Sequence, residues 1–341
     1  MIKTAVIGSS GYAGAELMRL ISAHPNFKLE SAVANSLAGA SIEESFPNLQ
    51  LEITHFDSMD DFVPSGIDLF FFALPHGESQ KLMAKIPENA YVIDLGADYR
   101  LENKSQWLKY YGADYAGHWI YGLVDVPSIQ EKLSNAKRVA NPGCYATAIN
   151  LSLAPFLNTN YLKFDQVNVV AASGTSGAGR KATIGLLTAE NMNNLVPYKV
   201  GGTHQHTPEI EQFLNSMAHS QAKVNFTPIL APMPRGILAI VTVPLQGQID
   251  LTQLRETFSN FYNGNPFVRL LPESVQPQTK ATLGTNNAVF QLTINEEMDV
   301  LVITAAIDNL VKGAAGQAIQ NANLMLGLPF DTGLTSIGVF P

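Results

Sequence analysis

The sequence predicts an α/β protein in two parts, a doubly wound parallel sheet followed by an α+β part built on a mixed sheet. Three observations lead there. Up to about residue 140, short apolar runs alternate with helical patterns; beyond Cys144, strand candidates lengthen and helices become sparse. Length is the third: 341 residues exceed one ordinary core, so two domains are expected.

Taken in order, "TAVIG" reads as the first strand, and "AELMRLISAH" spaces its apolar residues three and four apart, as one buried helix face requires. "KLESAVAN" follows as a strand, then "DLFFFAL" as a strand, "GESQKLMAKI" as a helix and "AYVIDLG" as a strand. That rhythm makes parallel neighbours, because each helix carries the chain back across the sheet. After Cys144, "QVNVVAAS", "GILAIVTVPL", "NAVFQLTI" and "DVLVITAAI" read as strands of a mixed or antiparallel sheet. The last periodic stretch, "GAAGQAIQNANLMLGL", is helical, and its alanine-rich face suits close packing against the first part. The expected domains are residues 1–144 with 313–341, and residues 145–312.

The charged fraction is 15%, against about 25% in ordinary proteins, so part of the surface is expected to lie between copies of the chain. A formal net charge of -8, with no run of Lys and Arg, repels polyphosphate and argues against nucleic acid. No stretch reaches about 18 uninterrupted apolar residues and no leader pattern opens the chain, so no membrane partner is expected. A single unpaired cysteine points to the reducing cytoplasm.

Four motifs carry chemistry. "GSSGYAG", with Gly8, Gly11 and Gly14, follows the first strand and opens the first helix. Glycines there let the backbone approach a pyrophosphate, whose charge rests on the amides and positive end of the helix; a turn needing glycine only for packing is the other reading. About 20 residues past the motif, where an NAD site sets an acid against the ribose, the chain has Asn35 and Ser36, which leans toward NADP. "NPGCYAT" puts the only cysteine, Cys144, at a helix start behind Pro142 and Gly143. Such a helix end favours thiolate over thiol, and its amides suit an oxyanion on a carbonyl attached to sulfur. A small core thiol is the plainer alternative.

The third motif, "SGTSGAGRKA" at 173–182, offers amides, hydroxyls, Arg180 and Lys181 to a phosphate or carboxylate, or is only a connection. The fourth, "THQHTPEIEQ", sets His204 and His206 two apart, ahead of a helix expected to start with Thr207 as cap and Pro208 in its first position. A thiolate enzyme needs an acid or base beside sulfur, and histidine titrates in that range; a packed or solvated pair is the alternative. No further ligand at metal spacing accompanies the pair, so no metal is expected. Arg100 and Arg235 either clamp an anion or lie on the surface.

In chain order, "GSSGYAGAEL", "LPHG" at 74–77, "DLGADYRL" at 94–101, "NPGCYAT", "SGTSGAGRKA", "THQHTPEIEQ" and "DNLVKGAAGQAIQNANLMLG" closely resemble the N-acetyl-gamma-glutamyl-phosphate reductase family of arginine biosynthesis. The resemblance runs over nearly the whole chain. It implies a Rossmann domain completed by the C-terminal helix and an inserted domain carrying homodimer or homotetramer contacts, similar in fold to aspartate-semialdehyde dehydrogenase. It also implies Cys144 as nucleophile, a histidine of "THQH" as acid/base, here taken as His206 with His204 alongside, and NADPH as hydride donor. Which histidine does which stays open at this point. Cofactor contacts are then expected from Gly8, Ser10, Gly11, Tyr12, Gly14, Asn35, Ser36, Leu74, Pro75, His76, Ser176, Gly177 and Asn309, with Lys312 on the nicotinamide side. Substrate and phosphate contacts are expected from Arg100, Ser173, Gly174, Lys181 and Arg235.

The implied reaction is attack of Cys144 on an acyl phosphate, loss of phosphate, hydride transfer to the thioester and release of a semialdehyde. Two departures from the family pattern stand out. No Arg or Lys follows the second strand to meet a 2′-phosphate, and "YGLVDVP" has Val124 and Asp125 where Pro-Glu is common. The alternatives are a related acyl-phosphate reductase, either aspartate-semialdehyde dehydrogenase or a lysine-pathway homologue using a carrier-bound substrate, and an NADP-sensing regulator without turnover.

Overall fold

The protein is described by a computed structural model over residues 1–112, 114–217 and 221–339. Two compact units result: Met1–Pro142 with Ala314–Thr335, and Gly143–Gly313 with the described residues from Ser336 onward. Gly143, Cys144 and Gly313 therefore belong to the second unit, and so does the chain end beyond Thr335, all of which differ from the boundaries expected above. The chain end goes there because Asn287 Nδ2 donates to the Ser336 carbonyl at 2.7 Å.

The first unit is built on seven strands: β1 (Ile2–Ile7), β2 (Phe27–Ala34), β3 (Asp57–Ser58), β4 (Leu69–Phe72), β5 (Tyr91–Asp94), β6 (Ile120–Tyr121) and β7 (Arg138–Ala140). All neighbours are parallel, in the order β3-β2-β1-β4-β5-β7-β6. A parallel sheet with helices on both faces hides both sides of its strands, which is why Leu69–Phe72 is buried at every position. The helices are α1 (Tyr12–Ser22), α2 (Ile42–Ser45), α3 (Ser79–Met83), α4 (Lys104–Tyr111) and α5 (Pro127–Ser134). The last helix of the chain, Gly316–Met325, packs against α1, α5 and β5.

The second unit opens with α6 (Cys144–Leu153) and continues through β8 (Val167–Gly174), α7 (Thr188–Asn191), β9 (Val196–Pro197), α8 (His206–Met217), β10 (Val224–Ala231), β11 (Ile237–Pro244), α9 (Leu251–Phe261), β12 (Val268–Leu270), β13 (Ala288–Asn295) and β14 (Val300–Ile307); the last helix is thus α10. Its sheet has the order β12-β13-β14-β11-β8-β10-β9 and is mixed: β8 and β10 run parallel, whereas β11 is antiparallel to both β8 and β14. β8 and β11 alternate, with Val167, Val169, Ala171, Ile237, Ala239 and Val241 buried under the helices. Val170 and Ile240, in register with each other, face out at 46% and 42% exposure.

Candidate active site

The β1–α1 turn of the first unit is shaped by its glycines. Gly8 has φ +89, and a Cβ there would lie 2.3 Å from the Ala73 carbonyl oxygen; a Cβ at Gly14 would lie 2.3 Å from the Gly8 carbonyl oxygen. Those two glycines let strand, turn and helix approach. Gly11 is different: a side chain there would meet only the Gly8 carbonyl oxygen, at an ordinary 3.5 Å. Internal packing therefore does not require glycine at the start of α1. The bare backbone, with no acidic residue in the first helical turn, fits the close approach of a pyrophosphate. Ser10 and Tyr12 flank Gly11, and Asn35 and Ser36 follow β2 directly, both exposed. Leu74, Pro75 and His76 follow β4, the strand beside β1, with Pro75 and His76 exposed. These residues thus share the carboxyl edge of the parallel sheet.

Arg100 departs from expectation. It is 7% exposed, its Nε donates to the Asn141 carbonyl at 2.8 Å, and a terminal nitrogen donates to the Leu95 carbonyl at 2.7 Å. It braces the backbone just ahead of Pro142-Gly143-Cys144 through these two carbonyls.

In the second unit one sheet edge gathers the other candidates. The end of β8, the start of β11 and the end of β14 are in register at Ser173, Ile237 and Ile307, while Gly174 pairs with Ala231 of β10. Ser173, Gly174 and Ser176 leave β8 there, Arg235 precedes β11, and Asp308 and Asn309 follow β14. Asn309 is buried: its Nδ2 donates to Ser176 Oγ at 3.0 Å and its Oδ1 accepts from the Gly236 amide at 2.7 Å. The expected cofactor contacts Ser176 and Asn309 are therefore joined to each other. Arg235 pairs with Asp308 at 3.2 Å, so its charge is met within the protein rather than held open for an anion. Gly177 and Lys181 are exposed. Lys312 is fully buried with its ammonium 5.6 Å from the Phe267 ring centre, well inside this unit rather than in the open.

Cys144 is partly exposed as the first residue of α6, with Gly143 as N-cap and no acidic residue in the first turn. A Cβ on Gly313 would lie 2.7 Å from the Cys144 Cβ, so a bare glycine forms the wall behind the sulfur. α6 packs on α8, which begins at His206. One turn into α8, Glu209 is 1% exposed and its Oε1 accepts from the Gly143 amide at 2.7 Å. That bond ties the starts of the two helices together, and the Gly143 amide is engaged rather than open to an oxyanion. Thr207, expected as the cap, is the second helical residue.

The two histidines occupy different environments. His204 is 6% exposed and ringed by Tyr145, Tyr198, Phe226 and His206, with ring centres 4.8 to 5.7 Å away. Its Nδ1 accepts from the His206 amide at 3.0 Å. Burial, with smaller contributions from His206 and Lys199, pushes it down to about 2, so it is neutral under all ordinary conditions. His206 is partly exposed, its ring 6.0 Å from that of Tyr145, the residue next to Cys144. The Tyr145 and Tyr198 hydroxyls stand 3.2 Å apart; burial raises both, Tyr198 to about 12, so both keep their protons. Among the described residues no group of three or more His, Cys, Asp or Glu side chains could hold a metal, and no helix is long and apolar enough to cross a membrane.

A parallel dinucleotide-type unit joined to a mixed-sheet unit that carries a cysteine at a helix start defines the semialdehyde dehydrogenase class. Residues 3–136 match the family model described as semialdehyde dehydrogenase, NAD binding domain, and residues 144–309 match semialdehyde dehydrogenase, dimerisation domain. The fold resembles that of aspartate semialdehyde dehydrogenase II from Vibrio cholerae, with a TM-score of 0.74 at 16% identity over 96% of this chain and 99% of that one. It also resembles a probable aspartate-semialdehyde dehydrogenase from Pseudomonas aeruginosa, with a TM-score of 0.69 at 22% identity over 95% and 98%. Far nearer in sequence are the N-acetyl-gamma-glutamyl-phosphate reductases of Acidothermus cellulolyticus, 50% identical over 99% of each chain, and Salinispora arenicola, 48% identical over 100% of this chain and 99% of that one. The chain belongs to the N-acetyl-gamma-glutamyl-phosphate reductase family.

Proposed function

We propose that this protein reduces N-acetyl-gamma-glutamyl phosphate to N-acetylglutamate 5-semialdehyde, releasing phosphate, through a thioester on Cys144. One observation carries the mechanism: the only cysteine opens a helix whose N-cap amide is held by Glu209, one turn beyond His206. Nucleophile and proton carrier thus come from two helix starts tied together. Cys144 attacks the acyl carbon, the carbon–oxygen bond to phosphate breaks, and a thioester remains. NADPH, when bound, supplies the hydride that reduces this thioester; Gly8, Gly11, Gly14, Asn35 and Ser36 are the residues that would hold it. His206 takes the proton from the thiol and returns it to the leaving phosphate oxygen or, as the aldehyde departs, to sulfur. His204 accepts the amide of His206 at Nδ1 and stays uncharged, so it is a positioning residue. Exposed Lys181 is the candidate for the substrate's anionic groups, because the Gly174 amide is held by the Gly236 carbonyl at 2.9 Å.

In this reading the enzyme works in the cytoplasm as a homodimer or homotetramer, with the outer face around Val170 and Ile240 between copies. The test is the reverse reaction with NADP and phosphate, comparing N-acetylglutamate semialdehyde with aspartate semialdehyde. Preference for the acetylated substrate by at least about tenfold in kcat/KM is expected, because a site built to hydrogen-bond the acetyl amide leaves buried polar groups unpaired when that group is missing. Preference for aspartate semialdehyde would assign a different reductase, and NADPH binding without any turnover would assign a regulator.

A further inference from the structure

The reaction leaves the carboxylates of "DLGADYR" without a role, and their contacts converge on one place. Asp94 ends β5 and is fully buried; its Oδ1 accepts from Ser79 Oγ at 2.8 Å and from the Gly96 amide at 2.9 Å. Its Oδ2 is enclosed with no hydrogen-bond partner among the described residues. Asp98, 1% exposed, accepts from the Gly77 amide at 2.5 Å through one oxygen and from the Gln80 amide at 3.2 Å through the other. Of these four donors, Gly77 lies in the turn from β4 into α3, and Ser79 and Gln80 open α3 itself. Gly96 sits between the two carboxylates without room for a side chain, since a Cβ there would be 2.9 Å from Asp94 Oδ1 and 3.3 Å from the Leu74 carbonyl oxygen. Gly77 itself is held at φ +86, which other residues rarely adopt.

Two buried carboxyl groups this close are costly, and apolar side chains of similar volume would pack as well without that cost. Burial, and then the charge of Asp98, raises Asp94 to about 7 against the opposing pull of the Ser79 bond. What the arrangement secures is the shape of an otherwise exposed turn, Pro75 and His76 included. That turn lies at the carboxyl edge of the parallel sheet, next to the glycine turn after β1, where doubly wound sheets receive their ligands.

We propose that Asp98, supported by Asp94, is a positioning residue for cofactor binding: the carboxyl pair fixes the Leu74–Gly77 turn in the shape that NADPH meets. This rests on the reading that the first unit binds NADPH through that turn. The test is fluorescence titration of NADPH into the full-length protein, as wild type, Asp98→Asn and Ser79→Ala. Cys144 alkylation by iodoacetamide is followed in parallel, as a readout in the other unit. Asp98→Asn keeps one carbonyl oxygen but turns an amide toward a main-chain N–H, so the NADPH Kd should rise about tenfold, the weight of one charge-assisted hydrogen bond. Ser79→Ala loosens Asp94 alone and should raise Kd about threefold. Alkylation rate, and kcat at saturating NADPH, should stay within about twofold of wild type in both variants. Wild-type Kd in both variants would overturn the inference. So would a loss of affinity matched by faster alkylation and a collapsed melting temperature, which marks general loosening. A wild type with no NADPH affinity would overturn the underlying cofactor reading, and the inference with it.

Discussion

His204 and His206 are two residues apart in sequence, yet burial holds only His204 far below the usual histidine range. The enclosed His204 accepts a main-chain N–H, and a proton on that nitrogen would break the bond and strand a charge among Tyr145, Tyr198 and Phe226. His206→Asn should therefore lower kcat by about 10²- to 10⁴-fold, the usual weight of a general acid–base group, with NADPH affinity unchanged. His204→Asn keeps an acceptor two residues before the amide and should stay within about tenfold of wild type, because Asn readily closes such a turn. Steady-state kinetics on both variants checks this, and the reverse order would exchange the roles. Much of this site was legible: the lone cysteine at a helix start and the paired histidines drew attention by residue type and spacing. Glu209 was passed over, although it stands one turn after His206 on the same helix face. Arg100 and Arg235 were read as either anion clamps or surface residues, because a sequence shows the charge of a guanidinium but not the carbonyls and the carboxylate it meets inside the protein.

At the level of elements, the wall behind Cys144 is a helix irregularity. Residues Val311–Ala315 form a π-helical turn in which the Gly313 amide donates to the Asp308 carbonyl at 3.0 Å. The extra residue brings Gly313 against Cys144 before α10 begins. Gly313→Ala places a methyl group 2.7 Å from the Cys144 Cβ, so either the turn or the start of α6 must shift. We expect kcat to fall at least about tenfold, with the rate of Cys144 alkylation altered and NADPH affinity kept. An alanine variant with wild-type kcat would show that the sulfur is not placed by this wall. The alternating and fully apolar strands were readable because periodicity reports burial directly. β10 was not read as a strand: Pro228 lies inside it, and proline ordinarily argues against a strand interior. The two-residue strands β3, β6 and β9 are too short to show any period.

For the whole molecule, buried titratable groups decide how stability follows pH. His24 stacks on Phe27 and bonds Asn323, and burial lowers it despite that bond; His204 is lowered further. Both hold protons less readily when folded than when unfolded. Their stabilisation is complete above about 6.5 and is lost as pH falls below it. Asp94 acts oppositely: raised when folded, it weakens the fold as pH climbs from about 4 to 7. The melting temperature should therefore fall from pH 7 to pH 5, and Asp94→Asn should raise it at pH 7 and steepen that fall. An Asp94→Asn protein with the wild-type slope would contradict this. The two-unit architecture was legible from the change of texture near Cys144, but two crossing points shifted by one or two residues and the return of the chain to the second unit after Thr335 was not foreseen. A boundary depends on which contacts each residue makes, and composition does not record them. The central claim is covalent catalysis at Cys144, and intact-protein mass spectrometry tests it most directly. Mixed with N-acetyl-gamma-glutamyl phosphate and no NADPH, the protein should gain one acyl group, mapped to Cys144, and release one phosphate per acyl group, while Cys144→Ser gains none. An unmodified wild type that still reduces the substrate when NADPH is added would contradict the account.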